Sequence, residues 1–385
     1  MPDVPDFSLE VISAPEGVIS LRDDWRHLDE VVSHPTIFLT WEWMEAWLHA
    51  VEWKRRMHVV VLRDKSGAVA AIAPFMIGAK GVLDWGRRVL SFIGSDGPSG
   101  GTYLDLIARP DWEGHARYIV LRHLVENRDL FTYINLNRVA VDNSGFRHWT
   151  TAALDLELHA TVDLRRRTVW MPLPPTYSDF IASVSNPRWR QRMRNFPAAL
   201  LKEFPSARYL DRRDERPLDA VLGDLRRLQS MRFGENSNYF RRIGFASYMK
   251  RLCENMQERG RFRAHCLMID GQAVTQRLGL VHRGTWIDFQ VGSSPEYMKS
   301  NVAHIMLWHC VEHAIGQGLQ CMDSLDEYEY KKRYFTRTRW VADLRFFDER
   351  LRTAGRQIWK AGYRAMRRSI RDRVPEPLRA WLRRR

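Results

Sequence analysis

Phe262-Arg-Ala-His-Cys-Leu-Met-Ile269, Asp270-Gly271 and Gln272-Ala-Val-Thr-Gln-Arg-Leu-Gly-Leu-Val281 form the stretch that decides the fold class. Two runs rich in apolar and β-forming residues flank an Asp-Gly pair. Both residues of that pair tolerate the positive φ angles of a two-residue hairpin turn, so the spacing predicts two antiparallel strands. Residues 284–291 read as a third strand. A loop, a long helix over 301–317 and a strand over 320–325 follow, and a last strand is expected at 341–347. Upstream, helical periodicity covers 187–202, 218–231 and 245–259, with another helix starting near Tyr177. Helices before a hairpin and a strand–helix–strand unit after it imply a mixed α/β sheet.

The first half of the chain repeats this plan. A strand near residue 8 precedes helices at 25–32 and 40–51, the second capped by Thr40. A hairpin over 58–62 and 68–76 turns at Asp64-Lys65-Ser66-Gly67. The glycine-rich loop at 94–101 leads to a strand at 103–107, a helix at 112–125 and a strand at 131–136. Two copies of one α/β unit are the simplest reading. They are expected over 1–165 and 166–349, with a basic tail over 350–385.

The chain has 385 residues and a formal net charge of +14. Residues 350–385 hold 13 Lys/Arg against two acids, so the other 349 residues carry only +3. The body is therefore nearly balanced, and its charge does not call for nucleic acid. The tail reads as a basic amphipathic helix ended by Pro375 and Pro377, suited to an anionic membrane surface. A 45 % hydrophobic content excludes intrinsic disorder. No apolar run reaches the roughly 18–20 residues of a membrane span, and the acidic start at 1–9 lacks the features of a secretion signal. Four cysteines without a C-x-x-C pair suggest reduced thiols. The expected location is cytoplasmic, peripheral to the inner membrane surface.

Phe38-Leu-Thr40-Trp41-Glu42-Trp43-Met-Glu45-Ala-Trp47 resembles the N-terminal signature of the CelD-like acetyltransferases, a GNAT (Gcn5-related N-acetyltransferase) branch linked to bacterial cellulose biosynthesis. Ile72-Ala-Pro-Phe75, the 94–105 loop and strand, Asn186-Pro-Arg188-Trp-Arg190-Gln-Arg192-Met-Arg194, and Asp323 followed by Tyr330-Lys331 extend the resemblance over residues 8–347. It implies two tandem GNAT-like lobes, similar to the FemX-like peptidyltransferases, and acyl transfer from acetyl-CoA or another acyl-CoA. The acceptor would be an amine or hydroxyl of a sugar, polysaccharide precursor or small metabolite.

The resemblance also implies roles for residues. Ser300, Asn301, Val302, Ala303 and His304 would hold the donor pyrophosphate, because free N–H groups and the positive helix end favour anions. Related proteins place a glycine at this helix start, and this chain has none. Lys331 would stabilise the developing oxyanion, and Tyr330 would return a proton to the leaving group. Alternation puts Trp286, Asp288 and Gln290 on one strand face. Asp288 is the candidate base and Gln290 a substrate contact; Asp323 offers the same chemistry as Asp288 but reads foremost as a structural carboxylate at a strand end. Arg188, Arg190 and Arg192 are candidate anion clamps, joined by Arg194 in like-charged i,i+4 pairs, and Trp43 is a candidate groove wall. The 94–101 loop lacks a G-K-[ST] ending and reads as a tight connection rather than a nucleotide cradle.

His309-Cys-Val-Glu312-His313 fits H-x-x-E-H, with both imidazoles on one helix face. The sequence offers no third ligand, so no metal is expected. Two other functions compete with acyl-CoA chemistry. One is aminoacyl-tRNA-dependent transfer to a cell-wall precursor, the only reading that brings in nucleic acid. The other is a non-catalytic accessory protein of polysaccharide synthesis.

Overall fold

The computed structural model describes residues 6–51, 53, 55–78, 88–97, 99–211 and 216–347, so the expected tail helix lies outside the described residues. The first half runs β1 (Phe7–Ile12), α1 (Pro15–Ser20), α2 (Arg22–Val31), α3 (Trp41–Ala50), β2 (Arg56–Asp64), β3 (Val69–Gly78), β4 (Val89–Phe92), β5 (Ile107–Ala108), α4 (Glu113–Glu126), β6 (Tyr133–Ala140) and α5 (Ser144–Asp155). β7 (His159–Pro172) runs across the boundary expected at 165/166 and opens the second half, followed by α6 (Tyr177–Ser183), α7 (Pro187–Glu203), β8 (Arg208–Asp211), α8 (Leu218–Phe233), α9 (Asn238–Arg241) and α10 (Phe245–Glu258). It closes with β9 (Phe262–Ile269), β10 (Gln272–His282), β11 (Thr285–Ser293), α11 (Val302–Gly316), β12 (Cys321–Asp323) and β13 (Arg337–Phe347).

All strands join one mixed sheet in the order β1-β2-β3-β4-β6-β13-β7-β12-β11-β10-β9-β8, with β5 beside β3. Two pairs are parallel, β4 with β6 and β11 with β12. Each follows a hairpin and is bridged by one helix, α4 or α11, so the expected repeat is visible in the topology. Asp270 and Gly271 turn the β9–β10 hairpin with φ of 49° and 76°, as that pair favours. Arg283 and Gly284 (φ 43° and 76°) do the same between β10 and β11.

Residues 137–176 show no clean alternation, yet they hold α5 and β7. Arg165-Arg166-Arg167 interrupts the apolar pattern of β7. The strand tolerates Arg166 and Arg167 because both are exposed and pair with Asp326 and Glu327. The strand expected at 103–107 shrinks to the short β5, because Tyr103 takes a left-handed φ of 55°.

One core runs from α2 and α3 across the sheet to α8 and α10, with Trp25, Trp43, Trp47 and Trp149 fully buried. A second lies under α6, α7 and α11 and contains Trp189, Trp286 and Trp308, and a small third cluster gathers Leu228, Cys266, Met268 and Ala273. The glycine-rich loop packs tightly, as expected. A side chain at Gly97, whose φ is 72°, would press on the Trp47 indole at 3.3 Å, and Trp47 Nε1 donates to the Asp96 carbonyl at 2.7 Å.

α3 also fastens the halves together. Thr40 Oγ1 caps it by accepting from Trp43 N at 3.3 Å. Its buried Glu45 takes a forked pair from Arg251 of α10, the shortest contact 2.7 Å, and a bond from Asn255 Nδ2 at 2.6 Å. Glu42 meets Arg261, which also reaches Asp29 of α2 at 3.1 Å. Burial works to raise the Glu45 carboxyl, but the bonds from Arg251 and Asn255 outweigh it and hold the group below its ordinary range. Glu45→Ala strands Arg251 and Asn255 and should cost about 1–3 kcal/mol in urea unfolding. Asp219→Ala, which removes the exposed pair with Lys250, should leave the midpoint unchanged. Equal effects would show that the α3 clamp contributes nothing special.

Candidate active site

β11 and β12 stay paired only over Thr285–Cys321, Trp286–Met322 and Ile287–Asp323. β11 then continues to Ser293, while the chain after Asp323 turns away through Leu325 at φ 59°. The sheet therefore opens beside Asp288. A register shift opposite Leu278 and Gly279 falls at the same level of β11, where one extra residue bends the strand away from its neighbour.

Three charged side chains meet at this opening, all buried. Asp288 Oδ2 accepts from Arg277 Nη1 of β10 at 2.5 Å and from Ser324 Oγ at 3.2 Å. Lys331 Nζ donates to the Ser324 carbonyl at 2.6 Å and sits 5.0 Å from the Tyr328 ring centre. Burial pushes the Lys331 ammonium below its usual range, with Asp288 pulling the other way. Burial also disfavours the Arg277 charge, but Asp288 outweighs it. Asp288 Oδ1 and Arg277 Nε have no hydrogen-bond partner. Half-buried Tyr330 feels both groups, and its hydroxyl is raised chiefly by burial. Two cations, one anion and a phenol thus surround the gap, with two polar atoms unspent.

The first turn of α11 borders the same region. Its N-cap, Asn301, is left-handed at φ 58° and contributes no side-chain cap, and no acid lies in the first turn. His304 stands 5.1 Å from the Trp189 ring of α7, and its Nδ1 meets Tyr334 OH at 3.4 Å. Trp189 carries two cations on its ring, Arg192 at 4.9 Å and Arg333 at 4.6 Å. Burial and then Arg333, Arg277 and Arg192 push the His304 imidazole down to about 4. A neutral imidazole, two arginines and an uncapped helix end together make an anion-attracting mouth.

The structure thus brings Asp288, Lys331, Tyr330 and His304 near one another, with Arg192 beside His304. Other expected residues go elsewhere. Arg190 spends its guanidinium on the carbonyls of Val184 and Ser185 at the end of α6. Arg188 and Arg194 point to solvent. Ser300 Oγ donates to Glu203 at 3.4 Å. Trp43 is fully buried against Phe38, Tyr248 and Phe289, so it builds the core rather than a groove wall. The register shift skips Phe289, so the alternation reverses there. Gln290 consequently accepts from Gln229 of α8 at 3.0 Å instead of standing beside Asp288. Asp323 accepts from Leu325 N and from Tyr103 OH, each at 2.7 Å.

Sequence reasoning missed Arg277, Ser324, Trp189 and Arg333. A lone arginine within the apolar β10 run was the available signal for Arg277. The other three are recognisable only from where the chain places them.

On the opposite sheet face lies a cavity of about 260 Å³ between the two halves. Tyr103, Glu113 and Asp142 line it from the first half, and Ile287, Asp323 and Arg339 from the second. Ile287 immediately precedes Asp288, so this cavity and the charged gap adjoin through the thickness of the sheet.

Residues 187–332 match a family model described as an acetyltransferase (GNAT) domain, a segment holding α7 to β12 and the charged gap. No curated protein matches the chain in sequence. Among solved structures it resembles FemX, at 10 % identity and a TM-score of 0.60 over 89 % of this chain and 98 % of that one. A conserved protein of unknown function from Bacteroides thetaiotaomicron VPI-5482 aligns at 12 % identity and 0.56 over 89 % and 100 %. A tandem GNAT protein from the clavulanic acid biosynthesis pathway aligns at 11 % identity and 0.44 over 88 % and 98 %. The chain thus has an α/β fold like that of FemX, and the domain match supports an acyltransferase enzyme.

The depressed His304 has a consequence for stability. An unfolded histidine protonates near pH 6.5, whereas folded His304 stays neutral down to about 4. The unfolded chain then binds more protons, so the His304 contribution is complete above about pH 6.5 and is lost as pH falls towards 4. His304→Gln should therefore lose on the order of 1–3 kcal/mol less than the wild type between pH 7 and pH 4.5. Urea midpoints at the two pH values measure this, and equal losses would remove His304 from the account.

Proposed function

We propose that this chain transfers an acyl group from acyl-CoA to an amine or hydroxyl, and that the reaction runs through the gap between β11 and β12. The observation that carries the reading is the cluster of Lys331, Arg277 and Asp288 where the sheet opens. The donor diphosphate would lie at the α11 first turn near Arg192 and Arg333, with its acyl end in the gap. The acceptor would enter from the cavity between the halves, which suits a sugar or small polar metabolite lined by Glu113, Asp142 and Arg339.

The chemistry follows from the charges. As the acceptor attacks the thioester carbonyl, negative charge grows on its oxygen. A buried ammonium such as Lys331 stabilises that charge more than water would, because the surroundings are poorly polarisable. The pair with Arg277 favours the ionised form of Asp288 and makes it a weak base. Its unpartnered Oδ1 can still orient the attacking group and take its proton once attack makes that proton acidic. Tyr330, kept protonated by burial, can return a proton to the departing thiolate. A polysaccharide-linked acceptor and peripheral membrane placement through residues 350–385 belong to this reading on sequence grounds.

Aminoacyl-tRNA as donor is the second reading, favoured by the overall likeness to FemX. Calorimetric titration with acetyl-CoA and CoA separates the two. We expect saturable CoA binding, weakened roughly tenfold by Arg192→Ala or Arg333→Ala. Lys331→Ala should lower turnover on the order of 100-fold and leave CoA affinity within about twofold. No heat and no thermal stabilisation with millimolar CoA, together with salt-sensitive binding of charged tRNA, would overturn the CoA reading. Silence with both donors would point to an accessory protein.

A further inference from the structure

We propose that Asp211, His265 and His313 form a binding site for a divalent transition-metal ion, zinc by its chemistry. Their ligand atoms lie within 4.8 Å of one another. It is the one such group among the described residues. The three come from separate elements. Asp211 ends the edge strand β8, His265 is its register partner on β9, and His313 lies in the last turns of α11. Asp211 Oδ2 is 3.5 Å from His313 Nε2, close to the spacing of neighbouring ligands around a tetrahedral ion with bonds of about 2.0–2.1 Å.

His265 supplies the independent observation. Its side chain is fully buried, and neither ring nitrogen has a hydrogen-bond partner. Burying an imidazole with both nitrogens unspent is costly unless something takes them up. The ring is stacked on Trp286 and meets the His313 ring edge-on at 4.6 Å, so it is held in place facing that residue. Burial pushes it down to about 3, leaving the neutral imidazole that metals bind. His309, one turn earlier, stacks on Tyr209 at 4.6 Å and closes the side of the cluster. Of the H-x-x-E-H motif only His313 is a ligand here, and Asp211 and His265 from the sheet edge supply the other two. The motif's Glu312 is exposed and its His309 is not among the ligands, so the arrangement differs from that of an H-x-x-E-H metalloprotease, in which both histidines bind the ion.

Two imidazoles and one carboxylate suit zinc, with water completing the shell. Asp211 and His313 remain partly exposed, at 18 % and 26 % of their side chains, which gives the ion a way in. His313 Nε2 also meets Gln317 Nε2 at 2.6 Å, so Gln317 must turn as the ion enters. A bound ion would tie the sheet edge to α11, whose opposite end borders the gap.

The test uses the full chain, stripped with chelator and titrated with zinc chloride alone. We expect one ion per chain, a raised melting temperature, and an absorbing tetrahedral complex when cobalt replaces zinc. Asp211→Asn and His313→Gln, whose side chains sit at the surface edge and whose folding circular dichroism can verify, should each weaken uptake at least about tenfold. Failure of the wild type to take up zinc would overturn the proposal and leave a hydrogen-bonded His313–Asp211–Gln317 cluster. Undiminished uptake by both folded variants would overturn it as well, placing the ion elsewhere.

Discussion

Everything distinctive about this molecule depends on where its last strand goes. β13 inserts between β6 and β7, pairing along Val341–Phe346 with the first half and along Arg337–Phe347 with the second. Buried backbone N–H and C=O groups must find partners, and this strand supplies them to both half-sheets at once. One continuous sheet results, and it runs through both halves. The α3 carboxylates clamp the same junction from outside the sheet, so the two halves are bound by backbone pairing and by buried ion pairs.

The same pairing logic makes the gap. β12 is only three residues long, held by β7 on one side and β11 on the other. Once the chain leaves Asp323, nothing continues the ladder beside Asp288. The departing segment instead returns Ser324 and Lys331 to the opening. A buried carboxylate would be costly there alone, and it is tolerated because Arg277 and Ser324 both bond it. The cluster is therefore a consequence of a strand that stops early, and its charges explain each other's presence.

Much of the architecture was readable in advance. The Asp270-Gly271 turn, the Thr40 cap and the long 302–316 helix each follow from local chemistry that needs no distant partner. β7 was not readable, because Arg166 and Arg167 pair with Asp326 and Glu327, more than 150 residues away in sequence. The site divided in the same way. Asp288 and Lys331 were picked out from strand position and family likeness. One skipped residue turns Gln290 away from Asp288, and Arg190 caps the end of α6 instead of clamping an anion.

The amino-acid sequence by itself determined the α/β class, the repeated plan and the residue types available for acyl transfer, since periodicity, turns and caps act over a few residues. Tertiary structure alone decided which of those residues meet. The register shift at Phe289, the early end of β12 and the insertion of β13 are set by long-range pairing. So is the approach of Asp211 and His265 to His313: strand pairing and helix packing join residues separated by as much as a hundred positions, and no local pattern encodes that.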